Sequence, residues 1–389
     1  MRHSLVRRWH VGRLGLLVLA LAVLVAAGAG RASAATLSVC ASGCAYTTIG
    51  DALAGASSGD KIAIGPGSYS GGFTIGTDVS LLGAGAGQTT ISAGGTVVGI
   101  VSGVTATIRG VTISGGVESG IHNAGTLTLT DSTVSGNTAA EGGGIYNFNN
   151  GTVTLKGSTV SGNAASHGGG IFNVGTVTLK GSAVTGNTAI LSGGGILNED
   201  GTVTLKGSTV TGNTATYSTS AGGGIANFSG TLTLKASTVS GNAATSPGGG
   251  IYDDGGTVTL TDSTVTGNTA IDGRGGGIAS YNNSTVTLID STVSGNTATN
   301  GAGGGIANVS GTLTLKDSTV TDNTAGSAGG GIYNNIGTVT LKDSTVTGNT
   351  AGIGGGGGIY NNANNSATVI LLDSTVSDNQ PDDCVGVVC

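Results

Sequence analysis

The chain has 389 residues, of which 78 are Gly and only 3 Pro, with 3% aromatic and 9% charged residues, a composition that argues against a conventional globular enzyme core. Disordered chains are rich in charge and poor in aliphatic residues, whereas this one is 37% hydrophobic, and no Gly-X-Y triplet runs through it as in collagen. A long, repetitive, β-rich chain remains.

Residues 1–34 read as a secretory signal. Arg2, Arg7, Arg8 and Arg13 form a basic start, Leu14 to Gly28 an apolar run, and Ala32-Ser33-Ala34 a small-residue cleavage site. The apolar run is shorter than the ~20 residues that span a bilayer, so cleavage is favoured over an anchor, and nothing later is long and apolar enough to span. Without residues 1–34 the chain keeps nine basic against 20 acidic residues, a net charge of −11, which argues against nucleic acid as a partner.

Residues 35–100 are expected to form an N-terminal cap and irregular first coils. Thr48 to Leu53 reads as a short capped helix, with strands at Lys61 to Ile64 and Phe73 to Ile75 about a Pro66-Gly67 turn. The four cysteines form two close pairs at opposite ends, Cys40 with Cys44 and Cys384 with Cys389, and each pair is expected to close a small disulfide loop. A zinc site would have to join residues more than 300 positions apart. No metal or cofactor is expected.

From 101 to 379 one phrase recurs: GTVTLKGSTVSGNTA, a variable stretch, then GGGIYN. The Asn of its Gly-Asn step stands at Asn137, Asn163, Asn187, Asn213, Asn242, Asn268, Asn296, Asn323, Asn349 and Asn379, a period of about 27 residues, which marks a solenoid. From the apolar residue of TVTL to that Asn the distance is fixed, as in Leu127 to Asn137 and Val153 to Asn163, whereas the stretches on either side of GGGIYN vary in length. Alternation in Thr152-Val153-Thr154-Leu155 and Thr159-Val160-Ser161, with Ile171-Phe172-Asn173 as a third segment, predicts three short strands per coil. Stacked at ~4.8 Å, about eleven regular coils make an all-β parallel β-helix. Period-2 alternation and dense Gly and β-branched residues reject a helical solenoid. Leu129, Leu155, Leu179, Leu205 and Leu234 are expected to form one interior column. The Asn137 to Asn379 column is expected at a buried corner, amide bonding to amide, with φ > 0 accommodated there. Residues 380–389 are the disulfide-closed tail.

The STVSGNTA and GGGIYN blocks resemble the right-handed parallel β-helix repeats of the pectin-lyase-like superfamily, in particular those of bacterial polymorphic outer-membrane-protein surface proteins. The likeness covers roughly residues 36 to 389, including a cap of the CxxxCxYxTIxxAL type (Cys40 to Leu53) and a PGxY turn (Pro66 to Tyr69). It implies export and a surface or extracellular role.

Enzymes on the resembled fold cleave acidic polysaccharides, so a lyase or glycoside hydrolase is the alternative to a binding or structural protein. Of the hydrolase signature only a DD pair is present, at Asp253 and Asp254, and Asp253 takes the place of the Asn of GIYN. The absence of a recognisable catalytic constellation favours a binding protein. Three columns offer surfaces for a polysaccharide or cell-surface glycan. Lys156, Lys180, Lys206 and Lys235 form a basic row, and Tyr146, Phe172 and Tyr252 belong to a broken aromatic column. Outward Thr-x-Thr pairs (Thr152 and Thr154, Thr176 and Thr178, Thr202 and Thr204, Thr231 and Thr233) resemble the ice-binding faces of β-solenoid antifreeze proteins, a second alternative. The plain alternatives are a solvated sheet face for Lys, ordinary packing for the rings and β-propensity for Thr.

Overall fold

The computed structural model describes residues 34–219, 221–352 and 355–389; all but the last residue of the expected signal segment therefore lies outside the described residues. Long strands such as Thr152–Lys156 stack into a 14-stranded parallel sheet that begins with Thr36–Val39 and ends with Thr368–Leu372. The three-residue strands of the STV segment, such as Thr159–Ser161, stack into a second sheet of 13. The GIYN segments form a third sheet of 13, running from Phe73–Ile75 to Cys384–Val385. Every rung meets its counterpart one coil on, as in Thr152 with Thr176, Thr202 and Thr231. The chain is a parallel β-helix.

A fourth, eight-stranded sheet runs from Thr138–Glu141 to Thr324–Ala325, beyond the three strands expected. Its strands are the two to five residues after the ladder Asn. Ala189, Ala215, Ala270 and Ala298 point inward there and are fully buried. A small side chain lets the backbone stay extended and close to the core at that corner, and only beyond it do loops of varying length leave the stack.

Alternation fills the interior. Leu129, Leu155, Leu179, Leu205 and Leu234 are all at 0% exposure, as are Val153, Val177 and Val203 beside them. The N-terminal strands Asp60–Ile64 and Val79–Gly83 already belong to the long-strand sheet and lead into Thr105–Arg109. Across the first end of the stack lies the helix Ile49–Gly55, capped by the Thr48 side chain, which accepts from the Asp51 backbone N–H at 3.1 Å. Ile49 and Ala52 on its inner face are buried against the core, closing an end that would otherwise invite further strands. Both disulfides, Cys40–Cys44 and Cys384–Cys389, are formed.

The Asn column is a continuous amide ladder. Asn137 Nδ2 donates to Asn163 Oδ1 at 2.9 Å, and the same bond repeats at 2.9–3.0 Å on every coil to Asn379. The expectation that these corners need φ > 0 at the Asn is corrected by one position. The residue before it takes the left-handed conformation, Gly136 at φ 65° and Gly162 at 61°, with Asp322 and Asp378 doing so where Gly is absent. Gly fits at that position because, lacking a Cβ, it takes φ > 0 at little steric cost.

Candidate binding face

The middle residue of each GIYN strand points outward, and its register defines one column: Gly99, His122, Tyr146, Phe172, Leu197, Ala226, Tyr252, Ala279, Ala307, Tyr333 and Tyr360. Rings two residues further on lean back against it. Phe148 stacks on Tyr146 at 5.0 Å, and Phe228 and Tyr281 flank Tyr252 at 5.6 and 5.5 Å. Tyr333 and Tyr360 stack at 5.5 Å. Of the nine Phe and Tyr residues after position 100, all but Tyr217 stand in this column or lean against it.

Below this column runs a second amide ladder that the sequence reading did not single out. Asn123 donates to Asn147, Asn147 to Asn173 and Asn173 to Asn198, each at 2.7 Å, and Asn198 to Asn227 and Asn227 to Asp253 at 2.6 Å. It resumes from Asn308 to Asn334 and Asn361 at 2.9 Å. The recurring final Asn of GIYN was the available signal. Asp253 is therefore an interior rung, fully buried, while Asp254 beside it points out to the Tyr252 hydroxyl and the Asn282 amide. The DD pair is split across the wall of the helix, and the two carboxyls do not face a common substrate. Burial pushes the Asp253 carboxyl up to about 6, against the opposing bond from Asn227.

The lysine row is present as expected, Lys156, Lys180, Lys206 and Lys235 standing in register. It ends the long strands, however, on a different sheet from the aromatic column, so the basic and aromatic residues do not form one site. Thr261 and Ile289 interrupt the row before Lys316, which pairs with Asp317 at 3.3 Å, and Lys342. The pairs Thr152 and Thr154, Thr176 and Thr178, Thr202 and Thr204, Thr231 and Thr233 stand in register on that same long-strand sheet.

Hollows on the aromatic face form where column residues are small. Ala279 and Ala307 leave a gap between Tyr252 and Tyr333, and a cleft of 660 Å³ opens there, lined by Asp272, Arg274, Tyr281, Asn300, Tyr333 and Tyr360. Arg274 reaches into it from its corner loop, with its guanidinium 5.4 Å from the Tyr333 ring centre and its charge acting on the Tyr281 hydroxyl. Asn300 donates to Asp272 at 2.7 Å along the rim. Burial raises the Tyr281 hydroxyl and the Tyr252 hydroxyl, the latter helped by Asp254, so both stay protonated donors. Sequence reasoning did not join Arg274 to these rings.

Residues 187–325 match the family described as right handed beta helix region. That match gives the winding of its stretch, and the strand order continues unbroken on both sides, so the stack is a right-handed parallel β-helix throughout. No curated protein matches the chain. Among solved structures it is similar to pectate lyase Pel9A, at 14% identity over 91% of this chain and 82% of that one, with a TM-score of 0.37. It is also similar to the A-module of the Azotobacter vinelandii mannuronan C-5 epimerase AlgE4, at 14% identity over 87% of this chain and 94% of that one, with a TM-score of 0.42.

Proposed function

We propose that this chain is an exported β-helix protein that binds carbohydrate, in the extracellular space or at a cell surface, through its aromatic face. The observation that carries the reading is the segregation of rings: eight of the nine Phe and Tyr residues after position 100 serve one face, while the other outward columns are Thr, Ser and Lys. A saccharide ring has an apolar face that packs on Phe and Tyr and a rim of hydroxyls that needs donors and acceptors. The protonated Tyr252 and Tyr281 hydroxyls, Asp272 and Asn300 offer both kinds of group beside the rings. Two disulfides and the basic, apolar, small-residue order of residues 1–34 support the exported address. The separation of Asp253 from Asp254 supports binding over hydrolysis.

A glycan array at low and moderate salt tests this with the wild type and a Tyr146→Ala, Tyr252→Ala, Tyr333→Ala variant. The column already holds Ala at Ala226, Ala279 and Ala307, so the triple change is compatible with the stack. Saccharide binding by the wild type that disappears in the variant is the expected result. Binding unchanged by the three substitutions, or depolymerisation of pectate or alginate, would overturn the reading.

A further inference from the structure

Between the clusters around Tyr146 and Tyr252 the aromatic face contains a separate cavity of 380 Å³. Phe172, Leu197 and Phe228 line it together with the polar Glu141, His167, Ser192 and Glu199. The register explains the grouping: Glu141 lies beside His167 on adjacent coils, Phe172 beside Leu197, and Glu199 beside Phe228. Burial pushes the hydroxyl of the neighbouring Tyr146 up to about 12, with further upward pressure from Glu141 and from Glu199. Neither takes part in an ion pair among the described residues. Every lysine after Lys61 ends a long strand on another sheet, so none neutralises this hollow.

Phenyl faces are electronegative and two unpaired carboxylates add formal charge, so the cavity favours a cation with an apolar body. A hard metal ion does not fit, because it needs six or more oxygens and among the lining residues only Glu141, Ser192 and Glu199 carry side-chain oxygens. An anionic sugar would meet Glu141 and Glu199 head-on. We infer that the glycan bound by this face carries free amino groups, and that the cavity between Glu141 and Glu199 seats a protonated amino sugar. This inference rests on the carbohydrate-binding reading and narrows it to one ligand class.

Calorimetry with a glucosamine hexamer, its N-acetylated counterpart and a galacturonate hexamer tests the inference. The wild type is expected to bind the free amine at least about tenfold more tightly than either of the others, with added salt reducing that preference. Glu141→Gln and Glu199→Gln keep side-chain volume, and each should lower affinity for the amine about tenfold while leaving any binding of the N-acetylated hexamer within about twofold. Equal binding of the N-acetylated hexamer, tighter binding of the galacturonate, or Gln variants that bind the amine like wild type would each overturn it. If an uncharged or acidic hexamer binds best and the Tyr146→Ala, Tyr252→Ala, Tyr333→Ala protein loses it, the amine preference falls while carbohydrate binding stands. Binding of no saccharide at all removes both. The comparison of three ligands on the wild type decides the matter even where a variant is poorly folded.

Discussion

Asn227 donates its Nδ2 to Asp253 Oδ1 at 2.6 Å, and there the inner amide ladder stops, because Asp253 has no amide to hand the bond on. Its other oxygen, Oδ2, and the Ser280 hydroxyl one coil above are both buried without a partner. Ser284 stands where neighbouring coils have Gly and donates to the Asp253 carbonyl at 3.1 Å, occupying space that the short Ser280 leaves open. Coils 253 and 280 are thus a paired exception in an otherwise uniform column.

Stability should therefore fall as pH rises past that rung. The folded Asp253 carboxyl is raised from 3.8 to about 6, so the neutral acid is preferred in the folded state. The contribution is fully present below about pH 4 and is lost as pH climbs through about 6, amounting to roughly 3 kcal/mol. Asp253→Asn, which restores an amide, should remove this slope and raise the melting temperature at pH 7.5. Chemical denaturation of both proteins from pH 4 to pH 8 checks it; parallel curves would show that Asp253 does not titrate in this range.

The outer ladder should be costly to break in the middle. Asn213 receives an amide bond from Asn187 at 3.0 Å, passes one to Asn242 at 3.0 Å and bonds the Val184 carbonyl. Asn213→Ala leaves these buried groups unpaired, at about 2–4 kcal/mol. Asn379, on the last coil and 7% exposed, has a less enclosed site, and its replacement should cost less than half as much. Denaturant midpoints of the two variants give the comparison, and hydrogen exchange should place the loss at the substituted coil, since each coil contacts only its neighbours.

The glycines should divide sharply into two kinds. Gly223, in a GGG triplet, has the Ala243 carbonyl oxygen 2.3 Å from where a Cβ would stand, so Gly223→Ala should cost more than about 3 kcal/mol. Gly241 has φ 59° with open space around it, and Asp322 and Asp378 already occupy the equivalent position. Gly241→Asp should change stability by less than about 1 kcal/mol. Thermal melts of the two variants, one far below wild type and one close to it, are the expected pair.

The coil was legible because strict alternation and an invariant ten-residue step leave one register: Leu155 must lie over Leu129, and Asn163 over Asn137. The same reasoning reached the lysine row and the threonine pairs, since a side chain's column follows from its place in the repeat. It did not reach the fourth sheet, whose strands of two to five residues are too short to show a period. Nor did it reach the clefts, which depend on what is absent: Arg274 meets Tyr333 because Ala279 and Ala307 leave room between coils. Such a contact joins residues far apart in sequence that no shared motif connects. Asp253 was recognised as a substitute for Asn, but the consequence of that substitution required knowing that the column faces inward.

Removing the lysine charges separates the two charged surfaces. The lysine row lies on the long-strand sheet, exposed, and Lys156, Lys180, Lys206 and Lys235 form none of the ion pairs found among the described residues. If saccharide binding belongs to the aromatic face, changing all four to Gln should leave glycan affinity within about threefold at moderate salt, where exposed charges are screened beyond ~8–10 Å. The row's own contribution should appear instead as solubility, because a regular sheet face stripped of its charges invites lateral association. The quadruple variant should therefore bind as wild type does in calorimetry while showing earlier turbidity on heating. A loss of saccharide binding that tracks the lysines would move the site to the other sheet, away from Tyr146, Tyr252 and Tyr333.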